Sequence, residues 1–493
     1  MSELLKHFSK FRKDIIGDDL EFETPYGRKK MIYADWIASG RLFRPIEDLM
    51  TNVIGPNIGN THTESTETGK LMTNAYQVAQ KIIKDHVGAN EDDVIITAGS
   101  GMTTVINKLQ RILGLRSCGK FSDMNDCKIK QDQPVVFITH MEHHSNHTSW
   151  LETSAKVVVL EPDENNMVDI KELERQLELH KDHKLKIGTF TGGSNVTGVI
   201  PPFHEMAEIM HKYGGLAMID FAGSAPYVDM NMHPENPLQS LDAIFFSPHK
   251  FLGGPGSSGV LIFNKYLYKK QVPDNPGGGT VEWTDPWGGH KYFDDIELRE
   301  DGGTPGFLQA IRIAYAIKLK NKLDTKLIEL REKELVARAF EGFVKVKGIH
   351  ILADNVKDRL GIFSFWFENI HFNLIVQLLN DRFGIQVRGG CACAGTYGHF
   401  LLNVTPDESF KIVEKIKSGD LSIKPGFVRV SLHPTMTNEE LDFIIDSLSE
   451  VIENHKEWAK DYKYNNHTNE FTHKTYDSGI KNKVYDWFDL KLT

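Results

Sequence analysis

The chain has 493 residues, more than one hydrophobic core usually serves, so we expect two domains or one very large α/β domain. Apolar residues make up 40% and charged residues 25%, a balance that excludes a wholly disordered or fibrous chain. With 57 Lys and Arg against 67 Asp and Glu, the net charge is −10, and no run of basic residues indicates a nucleic-acid partner.

The N-terminal residues show apolar positions near helical spacing, which predicts a helical segment over residues 1–30 rather than a secretory signal. No stretch approaches the ~18 consecutive apolar residues of a membrane-spanning helix, so we expect no membrane partner. The cysteines are too few and too unevenly placed for a disulfide framework, which favours a reducing, cytoplasmic setting. They are Cys118, Cys127, Cys391 and Cys393.

Short apolar runs, rich in Val, Ile and Phe, recur between residues 90 and 265. They cover residues 94–97, 135–139, 157–160, 187–190, 216–220, 243–246 and 260–263. Such runs are typical of strands buried on both faces of a mainly parallel sheet. Helical apolar spacing separates some of them, as over 103–115 and 203–210. Strands alternating with helices predict the α/β class, here as a large domain over residues 31–305.

The pattern changes after residue 305 and predicts a smaller C-terminal α+β domain over residues 306–454. Its predicted helices are 324–343, 374–380 and 438–454, and its predicted strands are 361–367, 384–388 and 426–431. The tail, 455–493, is polar but holds more aromatic residues than a disordered tail would, so we expect it to pack on the protein. Residues 118–133 and 271–291 are predicted loops.

Lys250 follows the apolar run 243–246 and precedes a cluster of glycines. A lysine in this place can lie in a desolvated pocket, where its pKa falls and its neutral amine becomes a nucleophile. Ser247 and His249 flank it as potential donors to an anion. The alternative is an ordinary surface lysine after a strand.

Two further segments favour a ligand site. Asp220 ends a predicted strand at the sheet edge where open α/β sheets bind ligands. There it is either a helix N-cap or the partner that keeps a pyridinium nitrogen protonated. The turn over 97–104 opens a helix and suits a single phosphate, because it lacks both the P-loop lysine and the dinucleotide fingerprint.

The segment Met141-Glu-His-His-Ser-Asn-His147 offers three histidines and a glutamate. A metal site is one interpretation, but the zinc motif H-E-x-x-H is absent and further ligands would be needed. An imidazole stacked on an aromatic cofactor ring needs only one of these histidines. We therefore expect no metal.

Together these segments resemble the fold-type I pyridoxal-phosphate enzymes, specifically the class V aminotransferase group that contains the cysteine desulfurases and selenocysteine lyases. The resemblance spans about residues 33–451. It implies pyridoxal 5'-phosphate as cofactor and a fold-type I transferase with a seven-stranded, mainly parallel sheet and a smaller C-terminal α+β domain. It also implies an amino acid as substrate and a homodimer.

The resemblance implies a role for each matching residue. The cofactor-binding positions are Gly101, Met102, Thr103, His143, Asn195, Asp220, Ser247, His249, Lys250 and Thr304. In the family these positions form a phosphate cradle, an imidazole stacked on the ring, an asparagine near the ring hydroxyl, a pyridinium partner and the Schiff-base lysine, and Thr304 matches a phosphate contact from the partner subunit. The substrate-binding positions are Ala38, Asn195, Arg388 and Arg429. Arg429 matches the arginine that grips the substrate carboxylate.

The cysteine loop Val387-Arg-Gly-Gly-Cys-Ala-Cys-Ala-Gly395 resembles the Arg-x-Gly-x-x-Cys-Ala loop of the desulfurases. The alignment places Cys393, rather than Cys391, at the nucleophile position, so Lys250, Cys393 and His143 are the implied catalytic residues. A reactive thiolate needs nearby positive charge, which Arg388 and His399 would supply. The alternatives for Cys-x-Cys are half a metal site or two small buried residues.

The resemblance implies a cysteine desulfurase that converts L-cysteine to L-alanine through a persulfide on Cys393, with a possible sulfur-acceptor protein as partner. Gly223 stands where the family commonly has a glutamine that touches the ring oxygen. This departure leaves open a class V transaminase, epimerase or β-lyase that uses no thiol nucleophile. A non-catalytic interaction protein that retains the pyridoxal-phosphate fold is the alternative from another class.

Overall fold

The structure is a computed structural model that describes residues 3–116 and 133–490. Its helices are α1 (Glu3–Arg12), α2 (Arg44–Leu49), α3 (Glu67–His86), α4 (Met102–Ile112), α5 (Thr148–Leu151), α6 (Ile170–Leu179), α7 (Phe203–Lys212), α8 (Ile296–Glu300), α9 (Phe307–Leu323), α10 (Thr325–Phe343), α11 (Phe372–Phe383), α12 (Gly395–Leu401), α13 (Pro406–Lys417), α14 (Asn438–Trp458) and α15 (Ile480–Trp487). Its strands are β1 (Glu21–Thr24), β2 (Gly27–Lys30), β3 (Ile32–Tyr33), β4 (Asp93–Ala98), β5 (Val135–Thr139), β6 (Lys156–Leu160), β7 (Lys186–Thr191), β8 (Leu216–Asp220), β9 (Ala243–Phe246), β10 (Gly259–Asn264), β11 (Val281–Thr284), β12 (His290–Tyr292), β13 (Ile349–Ile351), β14 (Ile362–Phe367), β15 (Ile385–Gln386), β16 (Arg388–Gly390), β17 (Phe427–Ser431), β18 (Tyr462–Asn465) and β19 (Glu470–His473).

The larger domain is built on a seven-stranded sheet in the order β4-β10-β9-β8-β7-β5-β6. The five strands from β5 to β9 run parallel, whereas β10 is antiparallel to both of its neighbours. Neighbouring residues on one strand, such as Met218 and Ile219, pack into different apolar clusters on the two faces of the sheet. Burial on both faces explains the continuous apolar runs, and the predicted α/β class with a mainly parallel seven-stranded sheet is confirmed.

The smaller domain contains the antiparallel sheet β13-β14-β17-β16. Helix α11 packs on β16 and β17, α10 contacts β14 through Phe340 and Phe343, and α14 packs on α10 and α11. These are the three predicted helices, and α11 and α14 extend beyond their predicted ends. The predicted strand 384–388 is divided, because β15 pairs with β3 whereas β16 pairs with β17. The hydrophobic pattern of residues 384–388 does not show that the pairing partner changes within this segment, so one strand was predicted where the structure has two.

Packing crosses the predicted domain boundary at residues 305/306. Helix α9 follows that boundary, yet it packs on α3 and buries Ile313 and Ile317 in the core beneath the central sheet. Conversely, Phe8 and Ile37 near the N-terminus are buried in the core of the smaller domain. Because α9 is buried on most of its circumference, it lacks the apolar stripe that would have identified it in the sequence.

The remaining segments differ in part from expectation. The N-terminal helix ends at Arg12 and is followed by the hairpin β1–β2, while residues 271–291, a predicted loop, contain most of the hairpin β11–β12. The predicted loop 118–133 lies, apart from Gln133, outside the described residues. In the tail, Tyr462 is buried and its hydroxyl donates to Asp381 Oδ2 at 2.8 Å, whereas α15 has no buried residue. Within the described ranges, no helix is both long and apolar enough to span a bilayer.

Candidate active site

A cavity of about 330 Å³ opens at the carboxyl ends of the parallel strands β7, β8 and β9 and at the start of α4. It is lined by Ile37, Ala38, Ser100, Gly101, Met102, Thr103, Thr104, His143, Ser145, Thr191, Gly193, Asn195, Asp220, Ala222, Gly223, Ser247, His249, Lys250, Arg388, Ala392, Cys393 and Arg429. The structure thus brings together every site residue predicted from the sequence except Thr304 and His399. The predicted residues in the cavity lie at strand ends and in the neighbouring loops, and the outermost two, Ala38 and Arg429, are 391 residues apart in the chain.

Lys250 ends a short helical turn, Pro248–Lys250, that follows β9. Burial lowers the pKa of its ammonium to about 8, against the opposing effect of the Asp220 carboxylate. A lysine with this pKa holds an appreciable neutral fraction near neutral pH. It can therefore act as a nucleophile or a base.

Asp220 is the last residue of β8, and its Oδ1 accepts a hydrogen bond of 2.8 Å from the amide of Ala222. Burial raises the pKa of this carboxyl to about 6, while the Ala222 amide and Lys250 lower it. Burial thus disfavours the charged form of this carboxyl, and a positive charge beside it would stabilise the carboxylate. A cationic ring nitrogen would supply such a charge.

A phosphate-sized cradle lies at the start of α4. The amide of Met102 donates to Ser247 Oγ at 2.9 Å. A Cβ at Gly101 would lie 3.2 Å from Ser247 Oγ and 3.7 Å from His249 Nε2, so the absence of a side chain keeps this space open. Burial lowers the pKa of His249 to about 4, which leaves a neutral imidazole. Hydroxyls and backbone amides at a helix N-terminus suit one phosphate group.

His143 lies on the turn that follows β5. Its Nδ1 accepts a hydrogen bond of 3.1 Å from the amide of Ser145, which assigns the ring proton to Nε2. Burial, reinforced by the Lys250 charge, lowers the pKa of His143 to about 3, so the imidazole is neutral. A neutral aromatic ring beside Lys250 and Asp220 is chemically suited to stack on a cofactor ring.

Glu142 supports this turn, whereas from the sequence it was considered only as a possible metal ligand. It accepts hydrogen bonds of 2.7 Å from Thr139 Oγ1, 2.7 Å from Asn146 Nδ2 and 2.9 Å from the Thr191 amide. Burial raises its pKa to about 8. The carboxyl therefore ties the His143 turn to the end of β7. An acidic residue beside two histidines was the available signal, but the sequence does not distinguish a support from a ligand.

The residues present fit pyridoxal phosphate. Gly101, Met102 and Ser247 would hold the phosphate, Asp220 would face the ring nitrogen, and Lys250 would supply the amine for the cofactor aldehyde. The fit rests on the open cradle at Gly101 and on the buried Asp220 carboxyl.

The cysteine loop closes the cavity on the side of the smaller domain. Cys393 is exposed and lines the cavity, whereas Cys391 Sγ donates to the carbonyl oxygen of Pro425 at 3.0 Å. Burial raises the pKa of the Cys391 thiol. The two cysteines thus differ in surroundings, and Cys393 is the one that faces the predicted site.

The backbone of this loop is strained and held by hydrogen bonds. Ala392 and Cys393 adopt φ of 49° and 57°, left-handed values that cost energy for residues with a Cβ. The amide of His144 donates to the Cys393 carbonyl at 2.7 Å, and His144 Nε2 accepts from the amide of Gly395 at 2.8 Å. These bonds keep the loop against the histidine turn.

Two predicted residues lie outside the cavity. His399, expected to supply charge to the thiol, has its ring nitrogens 2.8 Å from the Gly395 carbonyl oxygen and 2.9 Å from Ser409 Oγ. Thr304 is exposed and does not line the cavity of its own chain. In the described part of the chain, no three His, Cys, Asp or Glu side chains are grouped to hold a metal ion.

Comparison with known proteins gives consistent matches. The model of the aminotransferase class-V family matches residues 32–444. Probable cysteine desulfurase 2 of Mycobacterium leprae is 27% identical over 403 residues, which are 80% of this chain and 90% of that protein. A probable cysteine desulfurase of Halalkalibacterium halodurans is 27% identical over 369 residues, covering 74% of this chain and 84% of the relative.

Solved structures share the fold. The apo structure of a cysteine desulfurase from Thermococcus onnurineus superposes with a TM-score of 0.71 at 24% identity, covering 90% of this chain and 98% of that one. A cysteine desulfurase of Escherichia coli gives a TM-score of 0.68 at 21% identity with the same coverage. The fold and the family predicted from the sequence are both confirmed. The chain belongs to the aminotransferase class-V family, whose enzymes depend on pyridoxal phosphate.

Proposed function

We propose that the protein is a pyridoxal-phosphate-dependent cysteine desulfurase that converts L-cysteine to L-alanine and receives the sulfur as a persulfide on Cys393. The observation that carries this proposal is the position of the Cys393 thiol in one cavity with Lys250 and Arg429. The names of the curated relatives support it.

Pyridoxal phosphate, when bound, supplies an electron sink for the α-carbon of an amino acid. The protein supplies orientation and proton transfer. The Arg429 guanidinium binds the substrate carboxylate and directs the α-carbon toward Lys250. Lys250, whose lowered pKa makes the neutral amine available, takes and returns the proton at that carbon.

The Cys393 thiolate then attacks the sulfur atom of the substrate. The new S–S bond forms as the Cβ–S bond of the substrate breaks, and the electron pair left on carbon takes a proton to give the methyl group of alanine. Both sulfur atoms remain on the enzyme as Cys393–S–SH. A thiol acceptor, either a small thiol or a protein partner, removes the outer sulfur and restores the Cys393 thiol.

The test uses the purified, cofactor-loaded protein. Its absorbance spectrum is recorded before and after addition of L-cysteine with a thiol reductant, and sulfide and alanine are measured together. We expect equal amounts of both products. Amino-acid turnover without sulfide would favour a transaminase or an epimerase, and sulfide without alanine would favour a β-lyase, which eliminates the sulfur as sulfide. Bound cofactor without any turnover would favour a non-catalytic protein.

We also propose a homodimer in which Thr304 contributes to the phosphate site of the partner subunit. Thr304 is exposed and follows two exposed glycines, a loop able to extend beyond its own chain. Trp283 and Trp287 of the hairpin β11–β12 are also exposed, at 64% and 90%. Light scattering of the cofactor-loaded protein should give twice the chain mass, and a monomer would contradict the proposal.

A further inference from the structure

A single carboxylate contacts both arginines on the substrate side of the cavity. Asp35 Oδ1 accepts a hydrogen bond of 2.9 Å from Arg429 Nη2. Its Oδ2 accepts from Arg388 Nε at 3.0 Å and also lies 3.0 Å from Arg388 Nη2. Asp35 is only 9% exposed and does not line the cavity. It therefore acts on a ligand through the arginines rather than by contact.

The pairing of β16 with β17 places two arginines side by side, and Asp35 supplies the opposite charge. Arg388 on β16 and Arg429 on β17 are direct partners in antiparallel register. Like charges placed opposite each other on neighbouring strands repel. A bridge between Asp35 and Ser431 brings the Asp35 backbone beside β17. One negative charge thus lies between two positive charges that the sheet forces together.

The Arg429 guanidinium is held on two sides. Nη2 donates to Asp35, and Nη1 donates to the carbonyl oxygen of Asn195 at 3.1 Å. Nε is buried and has no hydrogen-bond partner among the described residues. Burial lowers the pKa of Arg429, and Asp35 opposes that effect. Removing Asp35 would leave a buried cation without its counter-charge, a costly arrangement.

Apart from the Cys393 sulfur, whose charge changes during the proposed reaction, the charges on the substrate side sum to a single positive unit. Arg388 and Arg429 contribute two positive charges and Asp35 one negative charge. The neighbouring His143 and His249 are neutral, and Lys250 and Asp220 belong to the cofactor side of the cavity. One net positive charge matches the one carboxylate of an amino acid with a neutral side chain. A second anionic group would find no counter-charge.

We propose that Asp35 is a positioning and specificity-determining residue: it orients Arg388 and Arg429 and restricts the site to amino acids with one negative group. The inference builds on the proposed binding of the substrate carboxylate by Arg429, but it does not depend on which reaction follows.

The test compares L-alanine with L-aspartate, which carries one more carboxylate. Both are titrated into the cofactor-loaded protein, and dissociation constants are taken from the absorbance of the bound cofactor, so no turnover is required. The unaltered protein should bind L-alanine at least about tenfold more tightly. Asp35→Asn raises the net charge to two positive units, and the preference should shrink by roughly tenfold or reverse. A preference within twofold of the unaltered protein would overturn the proposal.

Two controls separate charge from general damage. General damage would weaken both ligands alike and leave their ratio unchanged. The double variant Asp35→Asn/Arg388→Gln returns the net charge to one positive unit and should restore the preference for L-alanine, and Asp35→Glu should keep it. A relaxed preference in the double variant would also overturn the proposal. Asp442→Asn, which alters the ion pair between Asp442 on α14 and Arg338 on α10 away from the cavity, serves as the matched control.

Discussion

The side-chain amide of Asn195 donates a hydrogen bond of 2.6 Å to the carbonyl oxygen of Ala392, the residue that precedes Cys393. The family resemblance of the sequence predicts Asn195 near the cofactor ring and the substrate, and in the structure its side-chain amide also holds the cysteine loop. Asn195 therefore links the centre of the cavity to the backbone that carries the thiol.

Replacing Asn195 with alanine should loosen the loop. Loss of one hydrogen bond costs about 1 kcal/mol, so amide hydrogen exchange at residues 391–395 should become roughly fivefold faster. The strained φ values of Ala392 and Cys393 favour this release. The measurement is hydrogen exchange by mass spectrometry, with peptides from α10 as internal reference. Unchanged exchange in the loop would show that the His144 hydrogen bonds hold it alone.

Replacing Lys250 with alanine should abolish both the absorbance band of the lysine-linked cofactor and all turnover, because no other amine among the residues that line the cavity can replace it. Lys265→Ala, which alters an exposed lysine paired with Asp92, should leave both unchanged. Absorbance spectra of the two variants, purified in parallel, provide the measurement. A retained band in the Lys250 variant would rule out its assignment.

The two cysteines of the loop form a matched pair. Cys393→Ala should keep the cofactor band but reduce sulfide release from L-cysteine at least about a hundredfold, since the proposed nucleophile is removed. Cys391→Ala should retain activity within a few-fold, because Cys391 Sγ is hydrogen-bonded to the Pro425 carbonyl oxygen. Sulfide assays on both variants show which cysteine is the nucleophile. Undiminished turnover in the Cys393 variant would contradict the desulfurase proposal.

Glu332 on α10 makes the stability of the protein depend on pH. Its Oε2 accepts from the Gly361 amide at 2.6 Å, while its buried Oε1 has no partner within the part of the chain that is described. Burial raises the pKa of this carboxyl to about 7, above its value near 4.5 in the unfolded chain. The neutral form is thus favoured in the folded state. The contribution of Glu332 to the free energy of unfolding is therefore complete below about pH 4.5 and is lost as the pH rises through 7.

Glu332→Gln cannot ionise, so its free energy of unfolding should rise relative to the unaltered protein between pH 5.5 and 8.5, by an amount of order 2 kcal/mol. Denaturant unfolding at several pH values measures this. The control is Glu329→Gln, which alters an exposed side chain three residues earlier, and its effect on the free energy of unfolding should not change with pH in this way. A constant difference across the pH range would refute the role of Glu332.

Much of the fold could be predicted because its signals are local. Each strand of the central sheet contains a short run rich in apolar residues, and Lys250 and Asp220 were identifiable because they follow or end such runs. Helix α9 was missed because burial on most sides removes the amphipathic stripe. The pairing of Asp35 with Arg429 was also missed, since a contact across 394 residues leaves no pattern in either segment.

The shared core of the smaller domain sets an order for folding during synthesis. Phe8 and Ile37 are made early, but the same core cluster includes Leu335 on α10 and Val451 on α14, which are made much later. The central sheet, in contrast, is complete once β10 has been synthesised. The apolar N-terminal segment therefore lacks part of its native core until almost the whole chain has been synthesised, and apolar surface exposed for that interval promotes aggregation.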